Sequence, residues 1–332
     1  MGEPAGVGVE TVLKAWLKYE LQNLPPFFLI GDPSHAEEMA RAVHGRPAVV
    51  LIDRPEQAQD AIASGLPVLP LALPRPVRPG HPDADNAPQV IKAIDMAVDL
   101  ALSGAVSAIV TAPINKAALY RIGFEHPGHT EYLAHLCGIA GEPVMLLSSP
   151  GLRAVPVTIH CSLRDALGIL DSELIVRQSV TTAAALASDF GLPNAHLAIA
   201  GLNPHAGESG DLGREDIEIV APAIERLRQS GLNVSGPHAP DSMFHAKMRE
   251  TYDVAICMYH DQALIPVKTL GFEIGINITL GLPIVRTSPD HGTALPLAGT
   301  GRADPASMIS AIGTAGNLAH RRAVAAADAA AS

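Results

Sequence analysis

Val155-Pro156-Val157-Thr158-Ile159-His160, Leu197-Ala198-Ile199-Ala200 running on to Asn203-Pro204-His205, and Val254-Ala255-Ile256-Cys257-Met258-Tyr259-His260 share one pattern: an apolar, strand-like run that ends in polar residues and a histidine. In an open α/β sheet the carboxyl ends of the strands form the ligand crevice, so three imidazoles delivered there can converge on one metal ion. Working outward, strand-like runs recur at 27–30, 48–52, 108–111, 144–147, 154–159, 196–200, 254–258, 276–279 and 284–287. Between many of them the apolar spacing predicts helices over 86–103, 130–137, 171–190, 214–230 and 304–320. This alternation predicts an α/β fold with a largely parallel sheet covered by helices on both faces.

Local signals agree with that frame. Asp171 or Ser172 can cap the helix over 171–190, and Gly191 can end it in the left-handed conformation. The stretch Leu66 to Pro88 carries seven prolines and is expected to be an extended loop or an edge segment, because proline has no N–H to give to a ladder. At the start, Met1-Gly2-Glu3-Pro4-Ala5-Gly6-Val7-Gly8 is a glycine-rich turn leading into a helix over 10–19. Such turns usually follow a strand, so the chain as given is expected to begin late and to lack one. The alanine-rich tail after Arg322 is expected to be a fraying helix end.

Composition narrows the function. At 332 residues the chain can form two ordinary domains or one large α/β unit with a deep cleft. A hydrophobic content of 48% with only 4% aromatic residues suits helices packed closely on a sheet. The formal charge of -11, with no visible basic patch, argues against nucleic-acid binding. It leaves room for an anionic small substrate held by a few local cations, with Lys268 and Arg286 as candidates. Cys137, Cys161 and Cys257 are odd in number and at no zinc-finger spacing, which favours reduced thiols in a cytosol. No run approaches the roughly 18 to 20 apolar residues of a membrane span, and the N-terminus has no basic region or cleavage site, so a cytoplasmic protein without membrane partners is expected.

His160, His205 and His260 lie 45 and 55 residues apart, which excludes a local motif such as HExxH and requires assembly through the fold. Neutral imidazole binds zinc, cobalt, nickel and iron alike, so the ligand type leaves the metal open. The loop Asn203 to Gly210 contains glycines that permit close backbone approach to a ligand. Gly128-His129-Thr130-Glu131 opens a helix, where unbonded N–H groups favour an anion. Lys268, Asn277 and Arg286 stand near the ends of later apolar runs and have the chemistry of a phosphate or carboxylate site. Asp290-His291-Gly292-Thr293-Ala294 is a further glycine-bearing segment with exposed donors. Neither GxGxxG after a strand nor GxxxxGK[ST] occurs, so any dinucleotide must be held by a different loop.

These segments together resemble the 4-hydroxythreonine-4-phosphate dehydrogenase family of pyridoxal phosphate synthesis. The similarity is carried by residues 2–8, Thr111 to Lys116, Gly128 to Glu131, Gly201 to Glu208, Met258 to Gln262, Asn277 to Pro283 and Arg286 to Ala294. Glu3 departs from the family's usual aspartate. The resemblance implies a two-domain α/β/α fold of the isocitrate and isopropylmalate dehydrogenase type, with residues 1–125 plus 303–332 as one domain, 126–302 as the other and a cleft between them. It implies a homodimer with active sites at the subunit interface. It implies further that His160, His205 and His260 bind one divalent metal, such as Zn, Mg or Co, with ligands from both subunits. His129, Thr130, Lys268, Asn277 and Arg286 would hold the phosphorylated substrate. Asp290, His291, Gly292, Thr293 and Ala294 would form the cofactor loop for NAD, with NADP as the alternative. Lys116, Asp241 and Asp261 are weaker candidates for proton transfer or metal support, against a role in salt bridges.

The activity so implied is oxidation of 4-phosphohydroxy-L-threonine to a 3-keto acid that decarboxylates to 3-amino-1-hydroxyacetone phosphate. The rivals are a paralogous dehydrogenase for a phosphorylated tetronate or a dihydrodiol dicarboxylate, a metal-dependent hydrolase using three histidines and an open water position, and a non-catalytic binding protein.

Overall fold

The computed structural model describes residues 1–126, 128–139 and 141–331. The chain divides into two units, Met1–Glu142 with Leu282–Ala319, and Pro143–Gly281 with His320–Ser332. These junctions differ from the expected 125/126 and 302/303. Residues 129–136 form a helix whose Tyr132 and Leu133 join Val90, Ile94 and Phe124 in the first unit's core. The strand at 285–289 pairs with the strand at 108–110, which places it in the same unit. Neither contact leaves a local mark in the sequence.

In the first unit, β1 (Leu29–Gly31), β2 (Val49–Leu51) and β3 (Leu66–Pro70) form a parallel sheet in the order β1-β3-β2. β4 (Ala108–Val110) and β11 (Val285–Pro289) form a second parallel pair. Around them lie α1 (Gly8–Leu17), α2 (Pro33–Ala42), α3 (Ala58–Ala61), α4 (Ala87–Leu102), α5 (Lys116–Tyr120) and α6 (His129–Leu136). Leu13, Ala36, Leu66 and Val68 are fully enclosed in one cluster. A large aliphatic side chain buried in this way contributes roughly 1.5–3 kcal/mol.

β3 corrects the expectation of a loop or edge segment, since it is the central strand although it holds Pro67 and Pro70. Its neighbours are staggered: β2 pairs with residues 66–68 and β1 with 68–70. Leu66 N–H donates to Ala48 O on the β2 side, and Leu71 N–H donates to Gly31 O on the β1 side. By alternation the nitrogen of Pro67 turns toward β1 before β1 has begun, and that of Pro70 turns toward β2 after β2 has ended. Each proline therefore sits where no ladder bond is required of it.

The second unit contains β5 (Val144–Ser149), β6 (Leu152–Pro156), β7 (Leu197–Ala200), β8 (Val234–His238), β9 (Val254–Cys257) and β10 (Ile276–Leu280), in the order β10-β5-β6-β9-β7-β8. The contacts of β5 with β10 and β6 are antiparallel; those among β6, β9, β7 and β8 are parallel. Every residue of β7 and β9 is buried, which is why both strands are continuous apolar runs. β8, an edge strand reading Val234-Ser235-Gly236-Pro237-His238, was not apparent from composition.

The second unit's helices are α7 (Leu163–Ile169), α8 (Ser172–Phe190), α9 (Ala221–Gln229), α10 (Pro240–Met243), α11 (Ala246–Arg249) and α12 (His260–Gly271); α13 (Ala306–Ala331), at the C-terminal end, belongs to the first unit as far as Ala319. Asp171 caps α8 by accepting from Leu174 N at 2.7 Å, and Gly191 ends it with φ of 68°. α13 runs on through the alanine-rich tail to Ala331. Arg322 makes a two-pronged contact with the buried Asp189 carboxylate, at 2.8 and 2.6 Å. Among the described residues no helix is long and apolar enough to cross a membrane.

Candidate active site

The three histidine-bearing strands are neighbours. β6, β9 and β7 run parallel, so their carboxyl ends lie along one edge of the second unit's sheet. That edge is tied together: Thr158 Oγ1 donates to Met258 O at 2.9 Å, joining the exits of β6 and β9. Buried Gln262 accepts from Met258 N at 2.6 Å and donates to Gly201 O at 2.8 Å, joining β9 to β7. His160 and His260 stand with ring centroids 6.2 Å apart. With Thr158, Cys161, Leu163, Ala166, Tyr259 and Asp261 they line a cavity of about 260 Å³. His260 opens α12, and its Nδ1 contacts Asp261 Oδ1 at 2.7 Å. An ionised carboxylate there places the ring proton on Nδ1 and leaves the lone pair on Nε2, the arrangement common to metal-binding histidines.

His205 is exposed and sits in an unusual backbone. His205, Ala206, Gly207, Glu208 and Ser209 all have positive φ, of 52°, 52°, 81°, 44° and 60°. A left-handed turn costs each non-glycine residue roughly 1–2 kcal/mol, so four of them cost on the order of 4–8 kcal/mol. His160 is left-handed as well, with φ of 51°. Among the described residues no three His, Cys, Asp or Glu side chains are clustered so as to hold a metal ion. The structure thus pairs His160 with His260 and leaves His205 on its own loop. The donor chemistry of the pair, two imidazoles with one oriented by a carboxylate, fits a divalent transition metal.

A second constellation forms in the first unit. Buried Arg286 in β11 donates from Nε and Nη2 to Thr111 Oγ1, at 3.1 and 2.7 Å. Burial pushes its guanidinium down to about 10, opposed by the nearby Glu131 carboxylate. His129, the first residue of α6, is held well below its ordinary value of 6.5, by burial first and then by Arg286, the amino group of Met1 and Lys116. Gly128 precedes the helix with no side-chain cap, leaving the N–H groups of the first turn to other partners. Thr130, half-buried, follows on the same turn. Arg286, Lys116 and a helix N-terminus around a neutral imidazole make a corner suited to an anion. Thr111 and Glu131 also belong to this corner, and their sequence context does not single them out, because a strand-end threonine and a first-turn glutamate look like ordinary structural residues.

The other expected residues are distributed as follows. Lys268 is half-buried on α12, with Nζ 5.5 Å from the Phe272 ring centre. Asn277 lies in β10, and its Oδ1 is buried without a hydrogen-bond partner. Asp241 is exposed in α10. The segment 290–294 packs against the N-terminal glycine turn: Val7 N–H donates to Thr293 O at 3.0 Å, and a Cβ on Gly6 would fall 2.9 Å from that oxygen. Asp290 N–H donates to Ser307 Oγ at 3.2 Å. His291 Nε2 is buried without a partner, and a Cβ on Gly292 would meet nothing within 4 Å. An unused polar atom beside open backbone fits a loop that receives a ligand.

An α/β chain with a preformed anion corner and an imidazole pair at parallel strand ends belongs to the class of enzymes acting on small anionic substrates. Residues 23–315 match the model of the family described as Pyridoxal phosphate biosynthetic protein PdxA. The chain is 50% identical over 328 residues to the 4-hydroxythreonine-4-phosphate dehydrogenase of Caulobacter vibrioides, covering 97% of each. It is 47% identical over 329 residues to the enzyme of the same name from Bradyrhizobium diazoefficiens, covering 96% of this chain and 95% of that one. Among solved structures, the 4-hydroxythreonine-4-phosphate dehydrogenase of Klebsiella pneumoniae matches with a TM-score of 0.86 at 38% identity, over 96% of both chains. A terephthalate 1,2-cis-dihydrodiol dehydrogenase from Burkholderia xenovorans LB400 matches with a TM-score of 0.63 at 30% identity, over 95% of this chain and 96% of that one. The chain belongs to the PdxA family, enzymes of pyridoxal phosphate biosynthesis.

Proposed function

We propose that this enzyme oxidises 4-phosphohydroxy-L-threonine at its C3 hydroxyl. A hydride passes to NAD, with NADP the second choice, a proton is released, and the resulting 3-keto acid loses carbon dioxide to give 3-amino-1-hydroxyacetone phosphate. The observation that carries the reading is the buried Arg286–Thr111 pair beside His129, a cationic recess inside a chain of net charge -11. Arg286 remains a cation at neutral pH even at its lowered value, while His129 is neutral there and acts as a hydrogen-bonding group. Thr130, Lys268 and Asn277, with its unpartnered Oδ1, would complete recognition of the phosphate and of the amino-acid end.

His160, His205 and His260 would hold a divalent metal, Zn, Mg or Co among the choices. When bound, the metal supplies positive charge that favours loss of a proton from an alcohol and of carbon dioxide from a β-keto acid. Asp290 to Ala294 would receive the dinucleotide, which supplies the hydride acceptor. Lys116, Asp241 and Asp261 would be candidates for proton transfer or metal support, and the contact of Asp261 with His260 Nδ1 supports the second role for it. Since His205 stands apart from the other two rings, the reading includes a cytoplasmic homodimer in which a second copy completes the metal site.

The test is NADH formation from 4-phosphohydroxy-L-threonine before chelation, after it, and after adding back each metal. Metal-restored NADH is expected. No NADH with any metal would sink the reading, and turnover without NAD would favour a hydrolase. Faster oxidation of a phosphorylated tetronate or a dihydrodiol dicarboxylate would move the chain to a paralogous activity.

A further inference from the structure

One buried carboxylate bonds the residues that lead into the five-residue left-handed turn carrying His205. Asp216 is 1% exposed and is the first residue of a π-type helical turn, Asp216–Val220. Its Oδ1 accepts from Leu202 N at 2.7 Å, and its Oδ2 accepts from Asn203 N at 3.0 Å and Asn203 Nδ2 at 3.0 Å. All three donors belong to Leu202 and Asn203, two of the four residues between β7 and the turn, and Ala206 N–H bonds back to Asn203 O at 3.0 Å. Two glycines make room for the carboxylate. A Cβ on Gly201 would lie 2.8 Å from Oδ1, and one on Gly207 would lie 3.3 Å from Oδ2.

We infer that Asp216 is a positioning residue: it touches no ligand, but it fixes the left-handed turn and so the place from which His205 reaches the metal. The inference rests on the metal reading given above. Its physical basis is that an acceptor-only group meets three donors. An amide at this position would turn an N–H₂ toward at least one of them while keeping nearly the same shape. Only one of the five turn residues is glycine, so contacts must impose the conformation; Asp216 supplies three of them, beside Leu212 N–H to Gly207 O at 3.1 Å and Asn203 Nδ2 to Glu215 Oε2 at 2.8 Å.

The experiment compares wild type, Asp216→Asn, Asp216→Glu and His205→Ala as full-length proteins. Three quantities are measured: amide hydrogen exchange over 201–210, the thermal midpoint, and Co²⁺ affinity from its visible absorption. Asp216→Asn is expected to speed exchange in 201–210 about 10-fold or more and to weaken Co²⁺ binding roughly 10- to 100-fold, the range for groups that orient metal ligands, while exchange in β6 and β9 stays as in wild type. Asp216→Glu keeps two acceptor oxygens but moves them by one methylene, and local loosening over 201–210 is expected from it too; it decides the matter if Asp216→Asn does not fold. Wild-type exchange and affinity in Asp216→Asn would overturn the inference, as would loosening spread evenly over the whole second unit. A wild-type protein that takes up no Co²⁺, or a His205→Ala variant that binds it as well as wild type, would sink the metal reading; the exchange measurement would still decide whether Asp216 holds the turn.

Discussion

The anion corner of the first unit and the histidine edge of the second solve opposite problems. In the corner the charged group is buried and already bonded: Arg286 is 3% exposed and rests on Thr111, with Glu131 nearby as counter-charge. At the edge the rings are outside, His160 and His205 exposed, and the unusual feature is the backbone beneath them. Burying a charge demands partners in the same fold, so such a site is complete before a ligand arrives. A metal ligand needs only a lone pair and a direction, and on the proposed metal reading that direction would be set for His160 and His205 by left-handed backbone.

The contrast is open to attack, beginning with the largest effect. Removing His205 or His260 as alanine is expected to lower metal-dependent NADH formation by on the order of 1,000-fold or more, because several kcal/mol of charge stabilisation depends on the metal. The circular dichroism should not change, since neither ring lies in a core cluster. Full activity in His205→Ala would break the metal assignment. Arg286→Ala comes next, with kcat/KM down about 30- to 1,000-fold, mostly through KM, as befits the loss of a buried charged contact to an anion. Arg286→Lys should recover only part of this, since a single ammonium cannot reproduce the guanidinium fork. Wild-type kinetics in either variant would remove the corner from substrate binding.

The smallest effect is on stability. His129 titrates below its ordinary 6.5 in the fold, so between that value and its native one the unfolded chain binds the extra proton. Stability is therefore full above that window and falls as pH drops through it. Urea midpoints taken from about pH 7.5 to about pH 5 should show this decline, and His129→Gln should flatten it. His35 and His238, also lowered by burial, leave a residual slope. An unchanged slope in the variant would show that His129 is solvated like any surface histidine.

Legibility in the sequence followed the range of the interactions. The buried strands β7 and β9 were visible because burial on both faces demands continuous apolar residues. The cap of α8 was visible because Asp171 acts on its own helix three residues away. β8 was not, since an edge strand needs little apolar content and this one includes Gly236 and Pro237. Asp216 was hidden because its partners lie 13 and 14 residues earlier, and a helix-starting aspartate ordinarily needs no further reason. The pairing of His160 with His260 depends on β9 lying beside β6, a choice of strand order made by packing across 100 residues. The same holds for Arg286 meeting Thr111, 175 residues distant.

The stagger of the first unit's sheet works as a ratchet. Were β2 to slip two residues toward the far end of β3, one of its carbonyls would face Pro70; were β1 to slip two residues the other way, it would face Pro67. A one-residue slip of β1 or β2 would turn that strand's own side chains to the opposite face of the sheet. The two prolines that seemed to disqualify this segment as an inner strand thus act as stops for its neighbours, one at each end, and the short sheet has a single alignment available to it.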